Sequence, residues 1–448
     1  MLDKISKVKD TVSKQVVSKV NKNKKKLVEK NSIEEENLIV ALDIGTEFVK
    51  ALIGRLDQST AEIEIIGMGR KRQSLSDMQA GAISDIAAVV DNCDQALAQA
   101  EEQAGVSGRR AVIGIAGELV KGTTNTLKVL RRDPSQLIDS VEMEKIILLV
   151  QDRAKDIAKK QLSIETGGRE VDVKLVNSAL VGIEIDGYPI TNPLGFQGKE
   201  VVIQLYTAFA PLVHIGALEK TALELDLDLL TVAAEPFAVS RAVLGNKISQ
   251  NFSAILVDVG GGTTDIAVIN DGGVQGTKMF GIGGRAFTKG IEKDLSVSYE
   301  MAEALKIGLS TQKIPVSKRP IIESIVNKTA STWISGIELA LSEFDMLDHL
   351  PYRMFLCGGG SSLEVLAGKL EGTDWYKNLP FTHKPTIHLI RPEQVDGIID
   401  KTGKVKDHTF ITAMGLLRIA SDTLEFAGDE EEPAKVTLKD RIDKMMGA

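Results

Sequence analysis

The chain has 448 residues, 43% of them apolar, a net charge of −8, and only two cysteines, Cys93 and Cys357, set far apart. That is enough apolar chain for two or three cores, while the cysteine usage argues against a disulfide framework and the five scattered histidines against a zinc site. No apolar run approaches bilayer-spanning length, and the N-terminal lysines lack the apolar core of a secretory signal.

Residues 1–30 hold ten Lys against Asp3, Asp10 and Glu29, so this basic arm sits on a chain that is otherwise strongly acidic. Such asymmetry points to an anionic surface. Nucleic acid ranks below membrane, because the arm has no aromatic residue to stack on bases. Leu2, Ile5, Val8, Val12, Val16 and Val20 fall near one helical stripe, which Lys9 and Lys19 interrupt. After Glu34-Glu35-Glu36, the run Leu38–Leu42 reads as a buried strand ending in Asp43-Ile44-Gly45-Thr46, and apolar residues resume at Phe48–Ile53.

Helical spacing predicts helices over Ile86–Ala104 and Val141–Ala158, and strands over Arg109–Gly117 and Val171–Ile185, the latter ending at an Asp186-Gly187 turn. Leu229–Val232 reads as a strand that feeds a helix beginning Glu235-Pro236-Phe237-Ala238. Ala254–Val257 is a second buried strand, running into Asp258-Val259-Gly260-Gly261-Gly262-Thr263-Thr264-Asp265. Helices are expected near Ala302–Leu309 and Ile321–Phe344, then a strand at Met354–Cys357 that breaks into Gly358-Gly359-Gly360-Ser361-Ser362. An acidic linker, Gly428–Pro433, precedes a short tail in which Leu438, Ile442, Met445 and Met446 share a helical face.

The chain therefore contains one device twice: strand, Asp-x-Gly…Thr turn, returning strand. This is an internal duplication, and mixed strand–helix order with 4% aromatics indicates an α/β class of two related lobes. Binding a triphosphate without a Walker loop needs backbone amides that only glycine lets approach closely. Two such turns facing each other would supply them through Gly45, Thr46, Gly260, Gly261, Gly262, Thr263 and Thr264. Asp43 and Asp258 cannot bind phosphate directly and imply a hard cation, magnesium held largely through water. Lys50 could reach phosphate oxygens. Either turn alone reads equally as a tight hairpin; the pair points to phosphate. Gly358, Gly359, Gly360 and Ser361 would offer a flat surface to a nucleoside or make a compact strand-to-helix turn. Glu303 and Lys306, three apart, read as ribose or base contacts or as a surface ion pair. Glu235 could position an attacking water or merely favour a helix dipole.

Taken in order, these segments resemble the actin-like ATPase superfamily and, within it, the FtsA family. The two turns resemble its phosphate loops, Glu235-Pro236 its first connecting helix, Phe355–Ser362 its adenosine motif and Phe410–Leu417 its second connecting helix. Asp186-Gly187-Tyr188-Pro189-Ile190 followed by Asn192-Pro193-Leu194-Gly195-Phe196-Gln197-Gly198-Lys199 is similar to the signature of the extra subdomain that FtsA carries. The resemblance implies a duplicated ribonuclease-H-like fold with a basic arm at 1–36, a first lobe at 37–80 and 211–250, and an inserted subdomain at 81–210. The second lobe would occupy 251–408, with a short small subdomain near 285–345. A connecting helix at 409–427 and the linker and tail at 428–448 complete the plan. It further implies ATP and Mg2+ as ligands, slow hydrolysis at most, a tubulin-like FtsZ partner with other division proteins, and filament formation by self-association. The location it implies is peripheral, on the cytoplasmic face of the membrane.

Two departures stand out. Only Gly308–Pro320 is available where the family carries a longer strand-containing insertion, the place where the FtsZ tail docks. The basic arm is the other. The compact second lobe resembles PilM, a cytoplasmic protein of the type IV pilus machine, whereas the Asn192–Lys199 run and the tail favour FtsA. A sugar or acetate kinase on this fold lacks support from any acceptor-binding set, and too little chain follows the second connecting helix for a chaperone's substrate domain.

Overall fold

The computed structural model describes residues 37–57, 60–117, 120–244 and 252–428; the basic arm and the acidic linker with its tail lie outside the described residues. Strand β1 (Leu38–Ile44) is buried at all seven positions, which is why it reads as an unbroken apolar run rather than an alternating one. It pairs antiparallel with β2 (Phe48–Asp57), which continues to β3 (Glu62–Arg72). A small hairpin follows, β4 (Met78–Gln79) with β5 (Ala82–Ile83). Helix α1 (Ile86–Ala104) starts where the Asp85 carboxylate accepts from the Ala88 N–H. β6 (Arg110–Ile115) then runs parallel beside β1.

Next come β7 (Lys121–Leu130), α2 (Ser140–Glu165), β8 (Val173–Ile185), β9 (Tyr188–Pro189) and β10 (Glu200–Pro211). α3 (Leu212–Glu224) leads back to β11 (Asp228–Ala234), parallel to β6, and to α4 (Glu235–Leu244). The second half repeats the plan with β12 (Ala254–Val259), β13 (Thr264–Asn270) and β14 (Gly273–Phe280). Three helices follow: α5 (Gly284–Leu295), α6 (Tyr299–Ser310) and α7 (Arg319–Ser342). The half closes with β15 (Arg353–Cys357), α8 (Glu364–Gly372), β16 (Thr386–Leu389), β17 (Ile398–Asp400) and α9 (Ile411–Gly428).

Among the described residues one sheet runs β11-β6-β1-β2-β3-β17 and the other begins β16-β15-β12-β13-β14. The shared five-strand order, with β1 matching β12, makes the duplication a property of topology as well as of sequence. One large apolar core takes in the first sheet, α4, α9 and alternate residues of β12 and β13, and a second core holds the other apolar residues of those strands; α4 and α9 are tied to each other by Arg241 and Asp422 at 2.9 Å.

The expected start of the inserted subdomain at residue 81 is moved. β6 lies in the centre of the first sheet beside β1, and α1 buries Val89, Cys93 and Ala96 in the first core, so the chain leaves that sheet only after Ile115. Beyond Ile115 the chain builds a strand–helix–strand–strand unit: β10 lies between β7 and β8, and α2 and the sheet share a small core around Ile146, Val150 and Ile203. This unit joins the second sheet through two residue pairs of β7 and β14, Thr123 with Gly276 and Gly122 with Thr277. Between α6 and α7 the structure has turns and no strand.

Candidate active site

Aligning the two turns residue by residue explains their geometry. In the first, the Gly45 N–H donates to the Phe48 carbonyl at 3.1 Å; in the second, Gly260 donates to Thr263 at 2.9 Å. The same register places Asp43 opposite Lys50 and Asp258 opposite Asp265 on paired strands. The turns meet at their tips: a Cβ on Gly261 would lie 2.7 Å from the Glu47 Cβ, and one on Gly262 would lie 2.9 Å from the Thr46 hydroxyl. Glycine is needed there because any side chain would push the lobes apart.

Beneath this contact lies a cavity of about 450 Å³. It is lined by Asp43, Gly45, Thr46 and Lys50 from one wall, Asp258, Gly260, Gly261 and Thr263 from the other, Glu235 at its base, and Glu303, Lys306 and Gly358–Gly360 along one side. Three expected residues stand outside this lining. Gly262 packs against Thr46. Thr264 is fixed by donating to the Ile282 carbonyl at 2.7 Å and accepting from the Trp333 indole at 2.9 Å. Ser361 is buried and donates to the Gly358 carbonyl at 2.7 Å, so it shapes the turn.

The charges inside are densely coupled. Lys50 Nζ sits 2.7 Å from Asp43 Oδ2, both side chains nearly buried. Burial works to lower the Lys50 pKa, but Asp43, with Asp258 and Glu235 behind it, outweighs burial and the net shift is upward. Asp258 accepts from the Thr412 hydroxyl on α9, and a Cβ on Gly358, which has φ +78°, would lie 1.9 Å from its Oδ1. Burial raises the Asp258 carboxyl, with Thr412 and Lys50 opposing. Asp265 is pushed well up by burial and then by Asp258 and Asp43, and its Oδ1 is buried without a protein partner. Glu235 is likewise raised well above a normal carboxyl, by burial first and then by Asp43, Asp265 and Asp258.

A polyphosphate with a hard cation fits this set. The cation would relieve the surplus of carboxylates and give Asp265 Oδ1 a water to accept from, while Lys50 and the turn amides meet the phosphates. Among the described residues no group of three or more His, Cys, Asp or Glu could hold a metal directly. At the nucleoside end, Lys306 Nζ lies 2.7 Å from Glu303 Oε2 and donates to the Gly284 carbonyl and the Thr288 hydroxyl at 3.1 and 2.9 Å. The pair is thus a shielded part of the cavity wall, not a surface ion pair. Gly359, with nothing within 4 Å of its would-be Cβ, leaves that wall flat.

Sequence reasoning missed Asp265, Thr412, Glu47 and Arg285. Matching the two turns position by position would have exposed Asp265, since it stands where the first turn has Lys50. Arg285, at the start of α5, reaches across the cleft: its Nε donates to Glu47 Oε2 at 2.8 Å and its Nη2 to the Thr46 carbonyl at 2.6 Å. No local spacing announces that contact.

Two like-folded lobes closing on one such cavity define an actin-like ATPase fold. Similarity to a solved PilM–PilN type IV pilus biogenesis complex agrees, with a TM-score of 0.61 over 86% of this chain and 98% of that one at 14% identity, which speaks for the fold alone. The sequence profile of cell division protein FtsA matches residues 255–415. Cell division protein FtsA of Pseudomonas aeruginosa is 24% identical over 86% of this chain and 90% of its own length. That of Neisseria meningitidis is 25% identical over 91% and 95%, and that of Streptococcus pneumoniae 29% over 75% and 73%. The chain is thus similar to cell division protein FtsA over most of its length, and to that family's sequence profile over residues 255–415.

Proposed function

We propose that the protein is an FtsA-type division scaffold that holds Mg–ATP between its lobes, lies on the cytoplasmic face of the membrane and recruits a tubulin-like FtsZ partner and other division proteins. The observation that carries the nucleotide part is the cavity shared by both Gly-Thr turns, the Gly358–Gly360 wall and the Glu303–Lys306 pair. Asp43 and Asp258 would hold the cation through water, Lys50 and the turn amides the phosphates, and Glu303, Lys306 and Gly359 the nucleoside. Glu235 would orient a water, with hydrolysis slow. When bound, the cation neutralises phosphate charge; the protein's own part is to position the chain of phosphates and to keep bulk water out.

Membrane contact rests on the basic arm and the amphipathic tail, each lysine near an anionic leaflet adding about 1 kcal/mol. No helix among the described residues is long and apolar enough to cross a membrane. Binding of a fluorescent ATP analogue with magnesium to the purified full chain tests the site: Asp258→Ala should abolish it, and unchanged affinity would defeat the assignment.

A PilM-like role in a pilus machine is the second reading, favoured by the strand-free link between α6 and α7. Co-purification separates the two. Recovery of an inner-membrane pilus protein in place of the tubulin-like partner would reverse the order.

A further inference from the structure

One residue, Arg285, ties the two phosphate turns of the cleft together. The Arg285 backbone N–H donates to the Gly261 carbonyl at 2.7 Å, which seats the residue on the second-lobe turn. Its side chain then leaves that lobe and grips the first-lobe turn at Glu47 and at the Thr46 carbonyl. The guanidinium is 9% exposed as part of its residue, so these bonds are shielded from water. Glu47 is held from its own side by Arg72, whose Nε donates to Oε1 at 2.8 Å. An acid on one lobe is thus clamped between an arginine of its own lobe and one of the other.

We propose that Arg285 is a positioning residue that couples the two phosphate turns, so that lobe closure, and with it the residence time of the bound nucleotide, depends on it. The second half of that statement rests on the nucleotide reading above; the first does not. The physical reason is that breaking a shielded charge pair leaves its partner poorly solvated, and such losses fall mainly on dissociation rates. Here the loss would also free the Thr46 carbonyl, and both turns would part at the point where Gly261 and Gly262 touch Glu47 and Thr46. Lys at 285 could still meet Glu47, but a single ammonium lacks the planar fork that serves a carboxylate and a carbonyl together.

The test uses the full chain with spin labels at Asp91→Cys and Lys328→Cys, one exposed position on each lobe; the native cysteines are buried. Interlobe distances are read without nucleotide, and release of a fluorescent ATP analogue is timed with magnesium. Arg285→Ala should lengthen the distances and speed release by about tenfold or more, with Arg285→Lys between it and the parent. Glu47→Gln attacks the same bond from the other lobe, so a misfolded Arg285→Ala does not stop the experiment. Distances unchanged in both variants would overturn the coupling, and would mark Arg285 as a direct phosphate contact if release alone sped up. Longer distances with an unaltered release rate would overturn the link to residence time. Should the parent bind no ATP analogue, the functional reading fails while the distances still judge the fastener.

Discussion

The first-lobe and second-lobe turns share a backbone plan and differ in charge. Asp43 faces Lys50 across its strand pair, so the first turn carries a closed ion pair; Asp258 faces Asp265, so the second carries two buried carboxylates, one with an unpartnered oxygen. Duplication set the geometry, and the side chain at one equivalent position then divided the labour. The first turn's acid is paired within its own hairpin, whereas the second turn's acids are only partly offset, Asp258 by Thr412 and Lys50 from elsewhere in the chain. That asymmetry turns a pair of identical hairpins into a site with a direction.

The largest effect expected is on binding: Asp258→Ala removes the acid lodged between Thr412 and Gly358 and should abolish ATP-analogue binding, read by fluorescence titration. Next, Lys50→Ala should destabilise the fold by about 3–5 kcal/mol, because it leaves Asp43 buried without its partner and removes the cation coupled to two other acids, Asp258 and Glu235. Chemical denaturation measures this; a stability change near zero would mean that the first turn is not the closed pair described here. Asp265→Asn should act in the opposite sense and stabilise the metal-free protein by about 1–2 kcal/mol while weakening magnesium-dependent binding. If both variants destabilised alike, the contrast between the turns would be lost.

The smallest effect concerns pH. The unfolded chain releases the Glu235 proton in the ordinary carboxyl range, while the folded protein keeps it to higher pH, so the unfolded state binds fewer protons over that interval. Stability from this group is therefore full below the ordinary carboxyl range and is lost as pH rises through its raised value. Glu235→Gln should flatten that fall, seen as a shallower decline of melting temperature as pH rises above the ordinary carboxyl range; a slope equal to the parent's would exclude Glu235 as its source. For the membrane proposal, sedimentation with anionic vesicles should weaken on removing residues 1–30 or 434–448, and equal behaviour of all forms would remove it.

Much of the fold and the site is legible in the residues alone. β1 and β12 are buried on both faces, so continuous apolar runs mark them, and the Gly-Thr turns announce their own duplication. The hidden part depends on distant chain. Thr412 reaches Asp258 across 154 residues, and Arg285 reaches Glu47 across 238, and no periodicity encodes either meeting. The inserted unit begins later than its expected boundary because the apolar stripe of α1 shows that a helix packs but not against which sheet. Thr264 and Ser361 mislead for a related reason: a hydroxyl beside a phosphate-type turn looks free in sequence, while the fold gives it a backbone carbonyl to hold.

The seam between β7 and β14 has a mechanical meaning. The strand–helix–strand–strand unit is threaded into the first lobe by the chain, yet its strand pairing with the second lobe's sheet is two residue pairs long, backed by Thr124 donating to the Val274 carbonyl and Tyr206 meeting Thr277. Any hinge motion between the lobes must load that short stitch. A change in the angle between the lobes would consequently reach this unit as strain across the seam.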